Sequence, residues 1–164
     1  MNLDFIQPHH GVGSLRFGMT DSAVIQLLGA PSDEFEDEDG DVQLSWEGLQ
    51  LECTFFLESE LQLGVVATER ESARLVDRLL LGESKDQVRG FMATELGAAI
   101  SEEDGCIHED GTHQEWIDVD DLGLLFWFHD NVLYAIDCSC AWQDDETPKW
   151  PNESRAQSAG PEPE

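Results

Sequence analysis

The chain has 164 residues, enough to bury a substantial core, and 40% of them are hydrophobic. Thirty-six acids against eight bases give a formal net charge of −28. Such a surface repels polyanions, which excludes nucleic acids and anionic membrane surfaces as partners and leaves basic proteins or cations. Adaptation to high salt produces the same composition and stands as the competing explanation of the charge.

In chain order, residues 1–14 read as an irregular lead-in containing Pro8, Gly11 and Gly13. Met1–Phe5 lacks the basic and apolar stretches of a signal peptide, so the expected location is cytoplasmic, with Cys53, Cys106, Cys138 and Cys140 reduced. Thr20 is a good N-cap for a helix carrying Val24, Ile25, Leu27 and Leu28 and stopped by Gly29 and Pro31. Three alternating runs follow: Val42, Leu44, Trp46; Leu49, Leu51, Cys53, Phe55; and Leu61, Leu63, Val65, Ala67. Asp39-Gly40 and Glu47-Gly48 mark turns, so these runs predict antiparallel strands with one face on a core. Segment 69–81 has Arg70, Arg74 and Arg78 at helical spacing and predicts a short linker helix. Ser84 and Gln87 have capping-box spacing ahead of a second helix with Val88, Phe91, Met92 and Leu96. Two further alternating sets are Leu122, Leu124, Phe126, Phe128 and Val132, Tyr134, Ile136, Cys138. Residues 143–164 are rich in Pro, Ser and Glu and predict a disordered acidic tail, with Trp150 its one anchor.

The chain also repeats itself. Glu38-Asp39-Gly40 precedes Trp46, and Glu109-Asp110-Gly111 precedes Trp116. Leu15–Thr20 runs into Val24 and Leu28-Gly29, and Leu79–Ser84 runs into Val88 and Leu96-Gly97. The expected fold is therefore α+β: two tandem units, 15–68 and 82–142, joined by 69–81, each a helix on a three-stranded antiparallel sheet with the helices on one face.

The run Gly11–Thr20, followed by Val24 and Leu27–Pro31, resembles the opening of the β-lactamase-inhibitor-like repeat, which also occurs in small outer-membrane assembly lipoproteins. The resemblance covers residues 11–68, and more weakly 79–138. It implies a duplicated helix-on-sheet unit whose free sheet face grips a protein, as in bacterial immunity proteins that neutralise toxins. There is no lipid-attachment cysteine near the start, so the envelope role of the lipoproteins is not implied.

Chemistry-bearing motifs are weak by comparison. The acidic run 33–41 fails the calcium-loop spacing, because Gly40 at position six would put Phe35 first and Trp46 twelfth. Cys106, His108, Cys138 and Cys140 could together offer soft ligands to zinc, or serve an enzyme, but paired zinc ligands are normally two to four residues apart. No cofactor is expected. The aromatic strand is more informative. Leu124, Phe126 and Phe128 occupy one face, which leaves Leu125 and Trp127 on the other. Trp127, with Leu125, Trp116, Asp118, Asp120, Asp121 and Asp130 around it, forms the candidate partner-binding site, an aromatic centre rimmed by acids. The functional expectation is a non-catalytic inhibitor binding a basic protein such as a toxin. The alternatives are a metal-binding protein or enzyme using the Cys/His set, and a structural assembly partner.

Overall fold

A computed structural model describes residues 1–144 and 147–151. The lead-in forms β1 (Phe5–Gln7), β2 (Gly11–Val12) and β3 (Leu15–Arg16). Helix α1 (Asp21–Leu28) is followed by β4 (Asp33–Glu36), β5 (Val42–Trp46), β6 (Leu51–Phe56) and β7 (Gln62–Thr68). A hairpin, β8 (Arg74–Leu75) and β9 (Arg78–Leu79), leads to α2 (Lys85–Phe91) and one π-type turn, Met92–Leu96. Then come β10 (Glu102–Ile107), β11 (His113–Val119), β12 (Leu124–His129) and β13 (Val132–Ser139), and last a two-stranded pair, β14 (Ala141–Trp142) and β15 (Pro148–Lys149). No helix among the described residues is long and apolar enough to cross a membrane.

The architecture corrects the expected fold class. The molecule is mostly β, and it is not two helix-plus-three-strand units. Each half contributes four strands, and both sets merge into one eight-stranded antiparallel sheet of order β10-β11-β12-β13-β7-β6-β5-β4. The extra strands, β4 and β10, are the sheet edges, and every residue in them is exposed. Edge strands bury neither face, so their sequences carry no apolar alternation, and the acids of Asp33–Glu36 and Glu102–Asp104 guard against edge-to-edge association.

Strand registers in the two halves match. Leu51 pairs with Thr68 as Leu124 pairs with Cys138; Cys53 with Val66 as Phe126 with Ile136; and Phe55 with Leu63 as Phe128 with Leu133. Trp46 opposite Leu51 corresponds to Val119 opposite Leu124. The structural counterpart of Trp46 is thus Val119, and the Trp46–Trp116 match in the sequence is an accident of spacing. At the centre, Thr68 pairs with Ile136, Ala67 with Asp137 and Val66 with Cys138. The pseudo-two-fold axis therefore passes through the Ala67–Asp137 pair.

One face of this sheet is the core. Leu44, Trp46, Leu51, Cys53, Phe55, Ile117, Val119, Phe126, Phe128 and Ile136 are all buried there. Val24 of α1 and Val88 and Phe91 of α2 are buried against them. Thr20 caps α1 by accepting from Ala23 N at 3.2 Å, and Ser84 with Gln87 forms a full capping box on α2. Both helices are short, so packing on the sheet rather than propensity holds them.

The middle of the same face is covered by a five-stranded sheet of order β3-β2-β1-β8-β9. Cys138 Sγ lies 3.9 Å from the Gly11 carbonyl oxygen. Gly11 has φ 146°, and a Cβ there would lie 2.0 Å from the Leu15 carbonyl oxygen, so only glycine fits. The expected irregular lead-in and linker helix are therefore β structure. In 69–81, Val76 (φ 50°) and Asp77 (φ 64°) turn the chain tightly between β8 and β9, which a helix forbids. Just before the expected tail, Trp142 lies against Phe56 with ring centroids 5.5 Å apart. Within 143–164, Pro148–Lys149 pairs with Ala141–Trp142 as strand rather than disorder, Trp150 packs on the core, and 145–146 and 152–164 lie outside the described residues. We expect Phe126→Ala, at a site with no solvent exposure, to lose about 3–5 kcal/mol in urea unfolding.

Candidate functional site

Two β-bulges decide which side chains reach the second, outer face of the large sheet. In the β6–β7 ladder, Thr54 pairs with Val65 and Phe55 with Leu63, so Gly64 is extra. In the β12–β13 ladder, Trp127 pairs with Ala135 and Phe128 with Leu133, so Tyr134 is extra. Each bulge shifts the alternation by one. Val65 and Ala67 consequently turn away from the core, as do Tyr134 and Asp137, while Val66, Ile136 and Cys138 turn in. The expected set Leu61, Leu63, Val65, Ala67 is thus split between faces, and so is Val132, Tyr134, Ile136, Cys138. Gly64 makes room for the Phe56 ring: a Cβ there would lie 2.1 Å from it, and the ring would have to move.

Neither helix nor the small sheet covers the outer face. A trough of about 990 Å³ opens there, with Trp127, Tyr134, Glu52, Glu69 and Asp137 in its lining. A second hollow of about 850 Å³ includes Leu125, Asp118, Asp120, Asp137 and Trp142. Asp137 lines both. Trp127 is half-buried and sits directly opposite Trp116, with ring centroids 5.7 Å apart. Its indole Nε1 donates to Asp137 Oδ2 at 3.1 Å. Gln114 Nε2 donates to the Tyr134 hydroxyl at 3.0 Å.

The electrostatics are one-signed. Among the described residues, no lysine or arginine lines either hollow. Five of the bases form ion pairs elsewhere: Lys85 with Glu103 and Glu115, Arg70 with Asp4, Arg78 with Glu83, Arg74 with Asp77, and Arg89 with Asp86 and Glu103. Burial pushes the Asp137 carboxyl above the usual carboxylate range, and Glu52 pushes the same way while the Trp127 hydrogen bond opposes them. Asp118 is also raised, by burial first and then by Asp120.

Of the candidate site residues, Trp127, Trp116, Leu125, Asp118 and Asp120 meet on or beside this outer face. Asp121 and Asp130 do not. Asp121 lies in the turn before β12, where its carbonyl oxygen is 2.7 Å from His9 Nε2. Asp130 lies in the β12–β13 hairpin and accepts from His113 N at 2.9 Å. Sequence reasoning missed Asp137, Glu52 and Tyr134. The signal was present as the breaks in apolar alternation at Gly64 and Ala135, but a bulge shows only as a phase slip.

The Cys/His set does not converge. Cys106 is exposed on edge strand β10, while Cys138 and Cys140 are buried three strands away, against the other face. His108 Nε2 is 3.0 Å from Gln114 Oε1. No group of three or more His, Cys, Asp or Glu among the described residues is placed to hold a metal ion. Burial raises the Cys53 and Cys138 thiols to about 12 and Cys140 to about 11. We expect an aromatic disulfide reagent to modify Cys106 rapidly in the folded protein, and the other three only on unfolding.

No family model matches the sequence, and no curated protein matches it. Among solved structures, an extracellular protein containing a SCP domain, from Bacillus anthracis str. Ames, is similar at 11% identity and a TM-score of 0.45. The alignment covers 76% of this chain and 44% of that one, so the chain spans less than half of that protein's length. A likeness this distant carries no functional argument.

Proposed function

We propose that this is a non-catalytic binding protein that captures a basic protein partner on the outer face of the eight-stranded sheet and acts as its inhibitor, in the manner of an immunity protein against a basic toxin. The observation that carries this reading is the pairing of Trp116 and Trp127 on a sheet face that has carboxylates in both hollows and no lysine or arginine in either. Half-buried aromatics supply desolvated contact area, and surrounding acids speed encounter and reject acidic proteins. The opposite face is closed by the helices and the five-stranded sheet, while the described residues leave both hollows open on this one.

The test begins with capture of the partner from the native host, followed by binding kinetics. Lysine at both Asp118 and Asp120 should slow association about tenfold or more at low salt and flatten its salt dependence, with a smaller effect on dissociation. An acidic partner, or association unchanged by the reversal, would remove the charge argument and leave the −28 as adaptation to salt.

A further inference from the structure

The outer face has a defined centre. Across the strands, one row of directly paired residues runs Asp118, Leu125, Asp137, Ala67, Glu52, Ser45. The pseudo-two-fold axis exchanges Ala67 with Asp137 and Glu52 with Leu125. The two halves therefore differ along this row: at its four central positions each offers one carboxylate and one small or apolar side chain, and at its ends the second half has Asp118 where the first has Ser45. Asp137 and Glu52 flank Ala67 from neighbouring strands, about 9–10 Å apart at the backbone, and the methyl group of Ala67 leaves the space between them open.

Both carboxylates are held and incompletely used. Asp137 Oδ2 takes the Trp127 indole N–H at 3.1 Å. Glu52 Oε2 takes the Ser45 hydroxyl at 3.3 Å. Among the described residues the second oxygen of each takes no hydrogen bond, and the Trp127 indole lies beside Asp137.

Resting on the docking reading above, we propose that this centre is an arginine anchor: one arginine side chain of the basic partner enters between Asp137 and Glu52 and lies against Trp127. A guanidinium is planar, carries five N–H donors that span two carboxylates, is weakly hydrated, and stacks on an aromatic face. An ammonium is compact and strongly hydrated, so it gives up more on entering a hollow whose carboxylate is already drawn from water. Charge complementarity selects a cation, and the indole beside two separated carboxylates selects the planar one.

The experiment uses the full chain labelled with 15N and two probes, N-acetylarginine amide and N-acetyllysine amide, each titrated into the millimolar range while the Trp127 indole N–H resonance is followed. The anchor predicts a saturable shift with the arginine probe at least about fivefold tighter than with the lysine probe. Asp137→Asn and Glu52→Gln should each weaken it about tenfold, with the rest of the spectrum folded. Equal response to both probes, or none to either, overturns the anchor. In those cases kinetics with the captured partner separate the two ideas. If reversal at Asp118 and Asp120 still slows association, the acidic docking face stands without an arginine pocket; if it does not, both readings fall.

Discussion

Replacing Trp127 by alanine should leave the protein folded and weaken partner binding by roughly 2 kcal/mol or more, about thirtyfold. The separation of effects follows from the strand. Phe126 and Phe128, the neighbours of Trp127, are fully buried on the core face, and their packing does not involve the outer side of β12. Trp127 makes its ring contact with Trp116 and its hydrogen bond with Asp137, both on the outer face. Calorimetric titration of the captured partner, with thermal unfolding of the same variant, checks both halves. A variant that unfolds at room temperature would make Trp127 a core residue and remove it from the interface.

Asp137→Asn should raise stability at neutral pH by about 1 kcal/mol, the scale on which relief of a functional-site penalty is felt, and weaken binding at the same time. The folded-state pKa of Asp137 is raised, chiefly by burial, so protonation favours the folded form. Its contribution is fully present below the unfolded carboxylate value, about 3.9, and is lost as pH rises through the folded value. Asparagine keeps an oxygen for the Trp127 N–H and lacks the charge. The advantage of the variant should therefore be largest near neutrality and shrink toward acid pH. Urea unfolding at several pH values reads this difference directly. An advantage independent of pH would mean that ionisation of Asp137 is not what destabilises the native state.

The helices and the inner strands were legible because their signals are local. Thr20, Ser84 and Gln87 mark caps, and Leu51-Cys53-Phe55 and Leu124-Phe126-Phe128 alternate cleanly over a buried face. The repeat was visible too, yet its aromatic landmark misled: Trp46 is core and hydrogen-bonds to the Gly29 carbonyl at 2.9 Å, while Trp116 faces outward. The eight-stranded sheet was not legible, because β4 and β10 bury nothing and β7 meets β13 only through tertiary structure. The small sheet depends on a parallel pairing of β1 with β8, residues 5–6 with 74–75, which no local pattern encodes. At the site, Leu125 and Trp127 were readable from strand alternation. Asp137 falls opposite Ile136 and Cys138 as alternation requires, but its meeting with Trp127 was not readable, because the bulge at Tyr134 shifts the phase of the strand and the pairing of the two strands is tertiary.

The most direct test of the account is where the partner touches this chain. Zero-length carbodiimide coupling of the captured complex joins carboxylates to partner lysines in contact, and peptide mass spectrometry locates them. Docking on the outer face predicts coupling at Glu52, Asp118 and Asp120, reduced by Trp127→Ala at partner concentrations below the weakened Kd. Coupling concentrated instead on the hairpin acids Asp37–Asp41, or on Asp77 and Glu83 beside the small sheet, would contradict it.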